Sequence, residues 1–404
     1  MIENVYEIRK SKELYFILPD NYVVNKDVKY QDSMAVIVNL YYLDNVQWYL
    51  EQLYKISHLV DIYIISSNPD IISMVCDKNM HIIKKENRGR DISALLVSSK
   101  EIVLKYDYIC FLHDKKAKNA STIMRTKSLV KNIWFNMIGS KDYILNIYGV
   151  FKENSNIGLL VPPEQAGIDW DLWGKSLWGE NFERVRHICE EWELTCNLDP
   201  QIPPITIGTA FWCRTKVLEK LFNRNWKYED FDTEPLPDDG TLSHAIERIF
   251  AYVAQDAGYD TGTVLNERCA CRQQLMYQEY ISKAFDILRS DWGITSFSGI
   301  DNYFRQNKVI QDFCDTFDKI YLYGAGKIGQ ECMRRMKVIG IKINGMILTK
   351  VGMNMITENT ISIDMIEPVD NIGIIVSVGN ALKGEIVDIL EEKGFHHYIC
   401  YIDL

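Results

Sequence analysis

From Met34 the chain runs through an unbroken apolar stretch, MAVIVNL, and then places Val46, Tyr49, Leu50, Leu53 and Tyr54 at the spacing of one helix face. That reads as a buried strand followed by an amphipathic helix. The same alternation recurs: DIYIIS stops at a Ser67-Asn68-Pro69 turn, and HIIKK follows as another strand. A helix carrying Ile92, Leu95, Leu96, Ile102 and Val103 comes next, and then the strand YDYICFLH. Strands alternating with helices predict an α/β fold whose mostly parallel sheet is covered on both faces. Such sheets receive ligands at the carboxyl ends of their strands.

Beyond about residue 118 the pattern is mixed and rich in tryptophan (Trp134, Trp170, Trp173, Trp178, Trp192), with one further strand at IGLLVP, and it reads as an insertion-rich acceptor region. A strand-like ITIGTAFWCR, the acidic loop EPLPDDG and a helix TLSHAIERIFAYVAQ complete this part. The organisation expected is a catalytic domain over 1–275, a charged helical connector over 276–316, and a small Rossmann-like α/β domain over 317–404. That last domain opens with the strand, glycine turn and helix of DKIYLYGAGKIGQECMRRM and closes with GIIVSVG, a helix and HYICYI.

At 404 residues the chain exceeds one ordinary core, and 47% apolar residues suffice to fill two. A net charge of -10 argues against affinity built on neutralising a phosphate backbone, so nucleic acid is not an expected partner. No window is long and apolar enough for a membrane span, and the N-terminus lacks the basic-then-apolar order of a secretion signal, which predicts a chain that stays in the cytosol. The ten cysteines are scattered, fit neither a zinc spacing nor a disulfide framework, and read as reduced, mostly buried thiols.

Three segments carry candidate chemistry. Asn87, Arg88, Gly89, Arg90 and Asp91 join a strand to a helix on the ligand edge. Guanidinium forks suit phosphate, glycine permits close backbone approach, and Asp91 either caps the helix or holds a sugar hydroxyl. At the end of YDYICFLH come His113, Asp114, Lys115 and Lys116. Asp114 there can ligate a divalent ion, magnesium or manganese, across a diphosphate that the lysines neutralise. The bland reading is a polar loop, and the second acid of an Asp-x-Asp metal motif is missing. The third segment holds Glu234, Asp238 and Asp239 in a loop with Pro235, Pro237 and Gly240, any of which acids can deprotonate an acceptor hydroxyl. Asp239 is the first candidate base, although Asp239 or Thr241 can equally serve as a helix cap. His244 and Glu247 share a helix face beyond it, with Arg248 next in sequence, and His244 is a further candidate ligand for metal or phosphate.

NRGRD, HDKK, GTAFWCR and DDGTLSHAIERIF, in this order over about residues 34–265, resemble the rhamnan synthesis protein F family of bacterial polysaccharide glycosyltransferases. The resemblance implies a GT-A-like domain that transfers rhamnose or another hexose from a nucleotide-sugar to a growing cell-surface polysaccharide. It assigns residues 87–91 and the His113, Lys115 and Lys116 segment to donor binding. Gly208, Phe211, Trp212 and Arg214, with His244, Glu247 and Arg248, match the family's later strand and helix, and all but Phe211 are expected at the acceptor or pocket. The chain departs from the family pattern at Asn39, where a histidine is expected in the first strand. The partners implied are the nucleotide-sugar and a lipid-linked or oligosaccharide acceptor, with room for peripheral association at the inner face of the membrane and for self-association.

Gly324, Gly326 and Gly329 form a glycine turn between a strand and a helix, the context of a phosphate-facing loop. The next strand, INGMILT, ends without an acid to hold a ribose, so a turn that only packs helix on sheet is the competing reading. Two other functions stay open. One is an NAD-linked oxidoreductase or epimerase built on GAGKIG, which lacks a Tyr-x-x-x-Lys after the turn, and the other is a non-catalytic subunit of polysaccharide assembly.

Overall fold

The computed structural model describes residues 14–75, 79–117, 120, 123–163, 178–201, 206, 208–349 and 360–404, and of Arg125 and Asp291 the backbone alone. The chain forms two compact units, one ending at Ile281 and one beginning at Ser282.

In the first unit eight strands make one sheet: β1 (Leu14–Leu18), β2 (Met34–Asn39), β3 (Asp61–Ser66), β4 (Met80–Lys84), β5 (Tyr108–His113), β6 (Ile157–Val161), β7 (Phe211–Arg214) and β8 (Asp260–Asn266). Their order is β1-β8-β6-β7-β5-β2-β3-β4, and every neighbouring pair is parallel except the two that include β7. Alternate side chains of one strand enter opposite cores. Val36 and Val38 of β2, with Cys110 and Leu112 of β5, join the cluster around Trp134 and Tyr148. Ala35, Ile37, Ile109 and Phe111 join the one around Phe211, Phe231 and Phe250. This two-sided burial explains why β2 is written as a continuous apolar run rather than an alternating one.

Of the tryptophans expected in an acceptor region, Trp134, Trp178 and Trp192 are buried core residues, whereas Trp170 and Trp173 lie outside the described residues. Two strands, β1 and β8, escape the periodicity reading, because β8 (DTGTVLN) is half polar and β1 lies in a segment of mixed charge.

The second unit holds a parallel sheet of β9 (Lys319–Tyr323), β10 (Gly345–Leu348), β11 (Thr360–Ser362), β12 (Ile372–Val376) and β13 (Tyr398–Cys400), in the order β11-β10-β9-β12-β13. The residues expected as a connector are divided between the units. The helix Glu267–Trp292 contains the boundary, and the helix Phe297–Cys314 belongs to the second unit, where Ile310 and Cys314 pack with Ile320, Leu322, Cys332 and Met336. Among the described residues no helix is long and apolar enough to cross a membrane.

Candidate functional site

From β2 the chain steps outward through β3 to β4, whereas β5 pairs with the other edge of β2, so the winding reverses between β2 and β5. A reversal of this kind opens a crevice beyond the carboxyl ends of the two strands. A cavity of about 680 Å³ lies there. Asp44, Asn45, Trp48 and Tyr49 line it from the segment after β2, Lys115, Lys116 and Ala117 from the segment after β5, and Thr126, Lys127, Val130 and Lys131 from the helix Ile123–Ile138. Of the described lining residues four are lysines and one is an acid, Asp44, which pairs with Lys116 at 3.0 Å. The aromatic wall is fixed from behind, since the Trp134 ring lies 4.7 Å from that of Tyr49 and 5.8 Å from that of Trp48.

A hydrogen-bonded chain joins this crevice to three of the sequence motifs. Asp114 is buried, and its Oδ2 accepts from the backbone amides of Tyr41 (2.8 Å) and Tyr42 (2.7 Å), which fixes the loop leading to Asp44. Burial pushes the Asp114 carboxyl up to about 6, against the pull of those two amides and of the adjacent His113. The imidazole of His113 lies between two carbonyl oxygens, with Nδ1 2.7 Å from that of Asp114 and Nε2 3.0 Å from that of Gly208. The Gly208 amide in turn donates to Oε1 of Glu247. Gly208 and Thr209 both have positive φ, 91° and 37°, so the turn entering β7 is held in a conformation that needs such an anchor.

A second set of charges gathers where the turn after β4 meets the loop at 229–240. Arg88 donates through Nε to the Phe231 carbonyl (2.8 Å) and through a terminal nitrogen to that of Glu229 (3.0 Å), so its guanidinium pins one loop to the other. Arg90 faces Glu234 at 3.6 Å. Asn87 donates to the Tyr41 hydroxyl at 3.5 Å. Asp91 lies in the first turn of the helix Arg90–Ser93, whose N-cap is Gly89, so the capping role open to Asp91 is not the one it fills. Lys85, which the sequence does not single out, donates to the Arg88 carbonyl at 3.3 Å, and burial pulls its ammonium down to about 8 against the opposing charges of Asp91, Glu234 and Glu86.

Thr241, not Asp239, caps the helix Leu242–Glu247. Asp239 instead clasps a distant segment, accepting from the Glu180 amide (3.1 Å) at Oδ2 and from Asn181 Nδ2 (2.6 Å) at Oδ1, with Arg248 at 3.7 Å. Burial works to raise its carboxyl, but these donors outweigh burial and hold it below its ordinary value. Asp238 is exposed on the same loop. His244 receives the Thr241 amide at Nδ1 (3.4 Å), which leaves the proton on Nε2, and burial keeps its imidazole below the ordinary range.

The sequence model of the rhamnan synthesis protein F family matches residues 1–259. The chain belongs to that family. Two curated relatives, each named Uncharacterized protein WxcX and from two strains of Xanthomonas campestris pv. campestris, are 24% identical over 243 residues, which is 57% of this chain and 33% of theirs. The chain therefore spans about a third of the length of these relatives.

Of the residues that carry the resemblance to rhamnan synthesis protein F, Lys115 and Lys116 line the crevice, whereas residues 87–91, His113, Gly208, Trp212, Arg214, His244, Glu247 and Arg248 are not among its described lining residues. Trp212 is 1% exposed and donates from its indole to the Met137 carbonyl at 2.7 Å, and Arg214 pairs across the sheet with Tyr108 at the opposite end of β5 from His113. Arg214 donates to the Ile157 and Phe151 carbonyls and to the Tyr108 hydroxyl, so both residues hold the sheet together. Among the described residues no three His, Cys, Asp or Glu side chains come together as a metal site, and the side chains of Asp114 and His244 bond different partners.

In the second unit Gly324 has φ 115°, and a Cβ on Gly329 would run into the Gly324 carbonyl, so these two glycines are required by a tight strand-to-helix turn. Gly326 is the N-cap of the helix Lys327–Val338 and faces open space.

Proposed function

We propose that the first unit is a glycosyltransferase that binds a nucleoside-diphosphate sugar in the crevice between β2 and β5 and transfers rhamnose or another hexose to a growing cell-surface polysaccharide. The described lining of the 680 Å³ cavity carries this reading: four lysines and one acid lie beside the aromatic faces of Trp48 and Tyr49. Ammonium groups serve as point charges for a diphosphate, and an aromatic face suits a nucleobase or the apolar side of a sugar. Membership of a family described by rhamnan synthesis supports the same substrate class.

In the transfer, an acceptor oxygen bonds to the anomeric carbon as the bond from that carbon to the diphosphate breaks. The electron pair leaves with the nucleoside diphosphate, and the acceptor proton passes to a carboxylate. Lys115, Lys116, Lys127 and Lys131 stabilise the charge that gathers on the leaving group. Of the three candidate acids, Glu234 is the base we favour: its Oε1 faces Arg90 at 3.6 Å and its Oε2 accepts the amide of Leu236 within its own loop (3.2 Å), whereas Asp239 is tied to the distant Glu180 and Asn181 and lies 3.7 Å from Arg248.

A thermal-shift panel of UDP, GDP and dTDP with their sugars, each with and without magnesium or manganese, tests the reading. A cognate ligand at a hundred times its Kd should raise stability by about 2.7 kcal/mol, and Lys115→Glu should remove that gain. If no nucleotide shifts the melting point, or if the shift survives Lys115→Glu and Lys131→Glu alike, the donor does not bind in this crevice.

A further inference from the structure

A second cavity, of about 260 Å³, shares Lys127 and Lys131 with the first. We infer that this cavity holds the acceptor, and that it recognises an acceptor bearing an anionic group, a phosphate or a carboxylate, next to a sugar. The inference rests on the donor occupying the larger cavity.

An acceptor hydroxyl must reach the anomeric carbon of the donor, so its binding cavity has to share a wall with the donor's. The helix Ile123–Ile138 is that wall. Lys127 and Lys131 lie one turn apart on it and line both cavities. The far side of the smaller cavity is the helix Glu267–Trp292, which contributes Arg272. Three cations therefore surround the space, and none of the described residues lining it is acidic. A neutral glycan offers these cations hydroxyl oxygens alone, whereas a phosphate or carboxylate meets them with opposite charge, as a bidentate partner for Arg272 and a point-charge partner for the lysines. The remaining lining includes Met124, Phe135 and Met276, which offer apolar and aromatic contact to the C–H face of a sugar.

Arg272 lines the second cavity and not the first, so it separates the two sites. The test titrates glucose 1-phosphate, glucuronate and neutral glucose into the full chain held saturated with the nucleoside diphosphate that binds best, for wild type, Arg272→Glu and Arg272→Lys. At least one anionic sugar should bind tenfold or more tightly than glucose. That preference should vanish in Arg272→Glu and largely return in Arg272→Lys, while nucleotide affinity and melting temperature stay unchanged. Preference for glucose 1-phosphate identifies a phosphate-bearing acceptor, and preference for glucuronate identifies an acidic sugar. Glucose binding as well as either anion, or anion binding indifferent to Arg272→Glu, overturns the inference. Failure of every nucleotide to bind removes instead the donor reading beneath it.

Discussion

The amides of Tyr41 and Tyr42 converge on one oxygen of Asp114. Asp114→Ala leaves both without that acceptor and is expected to cost on the order of 2 kcal/mol in urea unfolding, whereas Asp114→Asn retains a carbonyl oxygen for both bonds and should lose much less. The raised carboxyl, about 6 when folded against 3.8 ordinarily, also sets a pH dependence. Between those values the folded chain holds a proton that the unfolded chain lacks. The contribution is therefore fully present below pH 3.8 and is lost as pH rises through 6. Wild type should gain stability over Asp114→Asn as the pH is lowered from 7 to 4.5, and parallel stability curves would show that Asp114 ionises normally. The acids of the 234–239 loop divide differently. Glu234→Gln should reduce turnover about a hundredfold with donor affinity nearly unchanged, as loss of a general base does. Asp239→Asn should melt earlier and lose activity only in step with its folded fraction, because its carboxylate holds Glu180 and Asn181. The sequence made these acids and Asp114 visible as charges at the ends of apolar runs. It could not show which were engaged, because Asn181, which holds Asp239, and the Tyr41 amide, which holds Asp114, lie 58 and 73 residues away along the chain. Lys85 was hidden for the same reason: HIIKK reads as a strand running out into solvent, and only the fold brings Glu234 near its ammonium.

At the scale of elements, the turn after β4 is tightly constrained. Gly89 has φ 70°, and a Cβ there would lie 2.6 Å from the ring carbon Cγ of Phe231, so Gly89→Ala combines backbone strain with a clash against the loop that carries Glu234. Loss of about 1–3 kcal/mol is expected, together with weakened donor binding, and a normal Kd in that variant would detach the turn from the site. The helix that follows is broken, passing from Arg90–Ser93 through a π-turn at Ala94–Ser98 to Lys100–Val103. The even spacing of Ile92, Leu95, Leu96, Ile102 and Val103 gave no sign of the break, since each still points into the core. Elements whose burial is local were legible: β2, β3 and β5 are continuous apolar runs because helices cover both faces. The helix Phe297–Cys314 was read as a connector because its moderate charge hid the narrow stripe of Asn307, Ile310 and Cys314 that it buries.

For the molecule as a whole, the division at Ile281 separates two sheets with their own cores. Both cavities are lined by residues of the first unit alone, so a chain ending at Ile281 should bind the donor within about twofold of the full chain. Loss of binding in such a chain, shown by circular dichroism to be folded, would mean that the second unit contributes to the donor site. The pairing of β1 with β8 sets Leu14 opposite Gly262, so the first strand described in the sheet waits for the last before it has a neighbour. Roughly 250 residues must leave the ribosome in between, which at about 5–20 residues per second takes on the order of 10 to 50 s. During that interval both edges of the LYFIL strand are open to any other nascent chain, whereas in the finished sheet β8 covers one of them and β1 remains an end strand.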